Sequence, residues 1–389
     1  MALALAPELP AELDRPAIVE PAPNEASFGR IAGTVAPGTH RVVVLVGGVE
    51  GGAVRVKGTR FELRVALPPR DSTVEVRAED ALGNSALTTV GPVLGLPAAE
   101  PVARRARLDR RLEARLRRLA DRFDGISAIY VESLETGAGA AWNAGARFPA
   151  ASTVKTAIAI ETLRILAERP PPGEALDGLL REMLVNSSNL AANELLRWIG
   201  GSDTGGAQEV SELFTTLGLD DSRLFEGFAI EVAVAAGPAP IPVRVEEQPP
   251  ASGKHTSAWD LACLYRWLHQ AASGEGPLVA LNGSFTAADA RHLLWILAHS
   301  ADHGKLDRHA GPGVRVPHKG GWVTNARHDA GLLYAPAGAV VAVVLTWTPG
   351  EAGAASDTLA ARVGRVALDW LREQRARPPA DGAPFSPWL

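Results

Sequence analysis

The sequence predicts a two-part chain, a small all-β sandwich followed by a larger α+β domain of three layers in which helices cover an antiparallel sheet. Three observations carry this reading. From Ile18 to Val93 apolar residues alternate in short runs broken by turn residues. Helical periodicity is concentrated in the middle of the chain, from Leu108 to Ser300. Strand-like runs return between Val314 and Thr346, so the second domain draws sheet strands from both of its ends.

Size and composition bound the answer. A chain of 389 residues exceeds the usual size of one domain, and 46% hydrophobic with 21% charged residues is the balance of a globular protein with a real core. A net charge of −5 argues against nucleic acid as the main partner. The single cysteine, Cys263, excludes an intrachain disulfide and reads as a buried structural thiol inside the helical pattern WDLACLYRWL. The longest apolar stretch, Ala337 to Leu345, falls well short of the ~20 residues a membrane span needs, so it reads as a buried strand. The opening MALALAPELP has neither a basic leader nor a long apolar centre, and no secretion signal is expected in it. Compartment and oligomeric state stay open.

The chain divides into a flexible segment 1–16, a β-sandwich 17–97, a Pro-rich linker 98–103, the larger domain 104–374 and a tail 375–389. In the sandwich, Arg41 to Val46 is a β-branched run, and Phe61, Leu63, Val65 and Leu67 alternate, as do Val74, Val76 and Ala78. Pro37-Gly38, Gly47-Gly48 and Gly83-Asn84 supply turns. The larger domain opens on an Arg-rich helix whose Leu108, Leu112, Leu116, Leu119 and Phe123 form one apolar stripe with a solvated basic back. A strand pair, Ile126 to Glu132 and Ala140 to Asn143, flanks a turn at Glu135-Thr136-Gly137. Helices are expected over about 152–168, 176–199, 207–217, 257–273 and 286–300, and strands over Val314 to Val323, Ala330 to Tyr334 and Ala339 to Thr346.

Three short motifs carry the chemistry. Ser152-Thr153-Val154-Lys155 opens a helical pattern, and a spacing of three sets the hydroxyl and the amine one turn apart on one helix face. A helix N-terminus and a desolvated lysine both favour an activated hydroxyl. Further on come Ser187-Ser188-Asn189, with Asn193 behind it, and then Lys319-Gly320-Gly321-Trp322 at the start of a strand.

The strings RFPAASTVK, MLVNSSNLAANELL and VPHKGGW, in that order, resemble the S-x-x-K, S-D-N and K-T-G motifs of the class A β-lactamase-like family of penicillin-recognising serine hydrolases. The resemblance runs from the basic helix to about Trp370 and implies a β-lactamase/transpeptidase-like domain that needs no cofactor. By that resemblance Ser152 is the acylated nucleophile, Lys155 takes its proton, and Ser187 relays a proton to the leaving nitrogen. Asn189 and Lys319 bind substrate, and Gly321 and Trp322 line the strand whose N–H at Trp322 joins that of Ser152 in an oxyanion hole. Implied substrates are β-lactams, D-alanyl peptides or simple esters, and an extracytoplasmic location would follow the family. The segment VEVRAEDALGN resembles bacterial immunoglobulin-like modules, which makes the sandwich a spacer or docking unit. A tyrosine version of the site is excluded, since none of Tyr130, Tyr265 and Tyr334 is followed two residues later by Asn.

The motifs depart from the family in four places. Ser188 replaces the middle Asp, and Gly320 replaces the K-T-G threonine, so carboxylate-bearing substrates are expected to bind weakly. The interval from Ser152 to Ser187 is short for the family, which implies an open cleft. The E-x-x-L-N string that supplies a deacylating glutamate is missing, Glu226 is the nearest substitute, and slow deacylation is the expectation. The alternative is a non-catalytic binding or scaffold protein with a degenerate cleft. His299 and His303 sit four apart without a third ligand at suitable spacing, so no metal site is expected, and His318 is expected to pack beside the site.

Overall fold

The computed structural model describes residues 13–97, 106–166, 168–225, 241, 243–250, 253–281 and 285–376. Contacts divide the chain into two compact units, one of Met1–Ala98 with Ala288–Trp295, the other of Ala99–Ala287 with Ile296–Leu389.

Among the described residues the first unit contains eight strands: β1 (Ala17–Glu20), β2 (Glu25–Ser27), β3 (Arg30–Thr34), β4 (Thr39–Val46), β5 (Val49–Arg55), β6 (Arg60–Arg64), β7 (Asp71–Asp80) and β8 (Ser85–Gly95). They form a three-stranded sheet, β1-β3-β6, and a five-stranded sheet, β2-β8-β7-β4-β5. Ile31 and Phe61 from the first sheet share one core with Val42, Val44, Val74, Val76 and Val90 from the second. The period-two pattern produces this: alternate β7 side chains, Val74, Val76 and Ala78, point inward.

The second unit contains β9 (Arg107–Leu108), α1 (Arg110–Ala120), β10 (Ile126–Ser133), β11 (Ala138–Trp142), β12 (Arg147–Pro149), α2 (Lys155–Arg164), α3 (Ala175–Leu184), α4 (Asn189–Gly200) and α5 (Asp203–Thr216). It continues with β13 (His255–Ser257), α6 (Ala258–Ala271), α7 (Pro277–Ala280), β14 (His318–Val323), β15 (Ala326–Ala335), β16 (Gly338–Trp347) and α9 (Ala354–Ala376), while α8 (Ala287–Leu297), between α7 and β14 in the chain, falls mostly in the Ala288–Trp295 segment of the first unit. The sheet order β14-β15-β16-β10-β11-β9 places the last three strands beside the first hairpin. One face, carrying Ile129, Val131, Val340, Ala342 and Val344, is covered by Leu112 and Leu116 of α1 and by Val363, Ala367 and Leu371 of α9. The opposite face turns Tyr130 toward α6, where its ring meets Trp259 edge-on at 5.6 Å between centroids. Helix, sheet and helix make three layers of a mixed α+β fold.

Several boundaries differ from the sequence reading. The helix expected over 176–199 is two helices, because Ser187 takes φ 58° and Ser188 caps α4 by accepting a bond from the Ala191 N–H. The strand expected from Val314 starts at His318, since Pro317 has no N–H for the ladder and only Arg315 bridges to Tyr334 ahead of it. The helix expected from Ser152 begins at Lys155, and residues 151–154 form a turn. Helix α9 lies beyond the expected helices although Leu359, Val363, Val366 and Trp370 recur at helical spacing. Cys263 is free and buried, as its place in a helical pattern implied. No helix among the described residues is long and apolar enough to cross a membrane.

Candidate active site

The site grows from a strand pair with no counterpart in the sequence reading. β12 runs antiparallel to β13, and the Ala150 N–H continues the contact by bonding to the Lys254 carbonyl at 2.9 Å. This fixes the segment just ahead of Ser152. His328, buried on β15, holds the same segment from the sheet: its Nε2 donates to the Pro149 carbonyl at 2.6 Å while its Nδ1 accepts from the Thr346 N–H at 3.2 Å. Burial pulls that imidazole down to about 4, in keeping with the neutral ring these two bonds require. The chain then turns sharply, with Ala151 at φ 48°, in the left-handed region that a side chain rarely adopts.

Ser152 is half-buried in this turn, and Lys155 is buried at the first position of α2. The Lys155 amine donates to the Ser187 carbonyl at 2.6 Å, to the Asn189 Oδ1 at 2.7 Å and, more weakly, to the Ser187 hydroxyl at 3.4 Å. The left-handed backbone at Ser187 joins a short break between α3 and α4 that carries both its carbonyl and its hydroxyl to the lysine. The buried Lys319 amine, on β14, donates to the Ser187 hydroxyl at 2.9 Å and to the Gly320 carbonyl at 2.9 Å. One hydroxyl thus stands between two amines. Burial, then the charges of Lys319 and Lys254, lower Lys155 to about 7. Burial also lowers Lys319 and Lys254, each to about 8.

β14 passes the turn that holds Ser152 at backbone contact. A Cβ at Gly321 would lie 2.7 Å from the Ser152 nitrogen and 3.0 Å from the Thr153 nitrogen, so glycine alone allows this approach. The next residue, Trp322, is 66% exposed. At Gly320 a Cβ would meet Asp302 Oδ2 at 1.9 Å and Lys305 Nζ at 2.6 Å. Where the family pattern has threonine, this chain therefore has an ion pair, Lys305 to Asp302 at 2.6 Å.

The structure thus brings Lys155, Ser187, Asn189 and Lys319 into one hydrogen-bonded cluster and sets Gly321 against the Ser152 turn. Glu226 lies outside the described residues. His318 packs beside the site, on β14, with its Nδ1 2.8 Å from Asp329. Three contributors were missed. Lys254 and His328 reach the site only through strand pairing. Buried Asn143, at φ 50°, donates to the Ser127 and Glu247 carbonyls and accepts from the Glu246 and Glu247 N–H groups, pinning that segment to the hairpin. Its only sequence signal is its place at the hairpin end.

A three-layer α+β domain with S-x-x-K, S-x-N and K-G-G segments converging on one hydroxyl defines a β-lactamase-like serine hydrolase scaffold. The sequence profile described as Beta-lactamase enzyme family matches residues 111–170 and 165–371. The chain belongs to that family. No curated protein matches it in sequence. Among solved structures it is similar to a mutant of PBP-A captured as an acyl-enzyme complex with penicillin G, at 21% identity and a TM-score of 0.53, covering 69% of this chain and 99% of that one. It is also similar to a β-lactamase from Sphaerobacter thermophilus DSM 20745, at 20% identity and a TM-score of 0.52, over 70% and 100% of the two chains. An ancestral class A β-lactamase gives 20% identity and a TM-score of 0.51 over 67% and 99%. At such identities the likeness concerns the fold.

Proposed function

We propose that the chain is a serine acyl-transfer enzyme that forms an ester between Ser152 and the carbonyl carbon of a β-lactam, D-alanyl peptide or related ester. Lys155 takes the Ser152 proton as the C–O bond forms, directly or through water. Ser187 passes a proton to the departing nitrogen, or to the departing oxygen of an ester, and is replenished through its contacts with the two amines. Asn189, its Oδ1 engaged by Lys155, offers its Nδ2 to a substrate carbonyl. Lys319 holds substrate electrostatically, and the N–H groups of Ser152 and Trp322 stabilise the oxyanion. The observation that carries this reading is the Ser187 hydroxyl between Lys155 and Lys319, at 3.4 and 2.9 Å, and it is supported by the burial that lowers the Lys155 amine to about 7.

Two finer features belong to the proposal. Deacylation is slow, because the E-x-x-L-N glutamate is missing from the sequence. The N-terminal sandwich is an immunoglobulin-like spacer or docking module, supported by its two-sheet core and the lack of any of the three motifs there. A fluorescent penicillin and intact mass spectrometry test the reading together. The native chain takes up one adduct that persists, and Ser152→Ala takes up none. Absence of labelling would defeat the enzyme proposal in favour of a non-catalytic cleft, while rapid release of the adduct would defeat slow deacylation alone.

A further inference from the structure

We propose that His303, Asp307 and His318 form a binding site for a single divalent transition-metal ion, zinc being the best match. Each residue offers one donor atom, and the three donor atoms lie within 4.8 Å of one another. His303 and Asp307 come from the turn that follows α8, and His318 is the first residue of β14. Sequence spacing conceals this set, because the partner of His303 is not the histidine four residues before it but an aspartate four residues after it and a third residue on a separate strand.

What distinguishes the cluster from a chance grouping is how its members are held. His318 is buried, and its Nδ1 is engaged by both oxygens of the fully buried Asp329, at 2.8 and 3.0 Å. That contact fixes the ring and leaves Nε2 as the nitrogen able to bind an ion, the carboxylate–histidine arrangement that supports metal-bound imidazole. Asp307 is held equally firmly. Its Oδ1 accepts from the Gly304 and Lys305 N–H groups at 2.9 and 3.0 Å, which leaves Oδ2 facing the Nδ1 of His303 at 2.8 Å. Two of three ligands are therefore oriented in advance, and exposed His303 is free to adjust.

Distances and charge both suit a small N/O-seeking ion. Zinc bonds of about 2.0–2.1 Å in a tetrahedron set ligand atoms roughly 3.3 Å apart. An ion entering between His303 and Asp307 thus widens their 2.8 Å contact by about half an ångström, which the exposed histidine has room to supply. Two neutral imidazoles and one carboxylate with a water in the fourth position are a usual zinc donor set. Asp307 and Asp329 balance a doubly charged ion, while the nearby Lys305 is already neutralised by Asp302 at 2.6 Å. Such an ion would tie the 303–307 turn to β14, one residue before Lys319.

The test is a calorimetric titration of the untagged, chelator-treated full chain with Zn²⁺ alone. One saturable site is expected, accompanied by a rise in melting temperature. His303→Ala removes an exposed side chain and leaves the fold intact, and it should weaken binding roughly tenfold or more. Asp307→Asn should do the same, and if that variant is unfolded by circular dichroism His303→Ala decides alone. His299→Ala, the neighbouring exposed histidine, should keep the native affinity. The proposal is overturned if the native chain shows no saturable binding, or if His303→Ala binds zinc as tightly as the native chain.

Discussion

Gly321→Ala probes the contact on which the candidate site is built, the approach of β14 to the backbone of the nucleophile turn. An added methyl would sit 2.7 Å from the Ser152 nitrogen, 3.0 Å from the Thr153 nitrogen and 3.1 Å from the Ala151 Cβ, where ordinary contact begins at 3.4 Å. The first two neighbours are backbone atoms, so no side-chain rotation relieves the overlap. The turn must retreat from the strand by about 0.7 Å, the difference between the 3.4 Å ordinary contact and the 2.7 Å overlap. An overpacked contact of this kind costs about 1–3 kcal/mol of stability, which a domain with two packed sheet faces can absorb. Catalysis is less tolerant: displacement of reacting groups by about 1 Å costs on the order of 100-fold, and spoiling one oxyanion donor costs about as much. The expected result is an acylation rate by fluorescent penicillin reduced on the order of 100-fold, with a cooperative melt retained. Labelling of the folded variant at the native rate would refute the reasoning, because β14 would then not define the reacting geometry.

Two further outcomes follow from the buried titrating groups. Only the uncharged Lys155 amine accepts the Ser152 proton, so the acylation rate should rise with pH around a midpoint near 7; Lys254→Ala removes a neighbouring positive charge and should move that midpoint upward, whereas an unmoved midpoint would deny the coupling. His328 titrates at about 4 when folded against an ordinary 6.5, so the unfolded chain binds its proton first and stability is lost as pH falls from about 6.5 to about 4, by ~3 kcal/mol in total. Urea unfolding at pH 7 and near pH 4.5 should show a smaller loss for His328→Gln than for the native chain, and an equal loss would contradict the assignment of a neutral, doubly bonded ring.

Local sequence determined the pieces. The alternation at Val74, Val76 and Ala78 produced an inward-facing strand, the stripe through Leu112 and Leu116 produced a buried helix face, and the three motifs marked Ser152, Lys155, Ser187, Asn189 and Lys319 before any of them had a position in space. These signals are legible because helix and strand periods are written in consecutive residues. Tertiary structure decided everything that depends on chain segments far apart. The pairing of β12 with β13 brought Lys254 to the site, His328 reached the Pro149 carbonyl across the fold, and the space at Gly320 was filled by Asp302 and Lys305. The same holds for His318, whose partners Asp329 and Asp307 lie on other segments. Hydrogen bonds and charges act over a few ångströms in space without regard to chain separation, so a pattern of neighbours along the sequence carries no record of them.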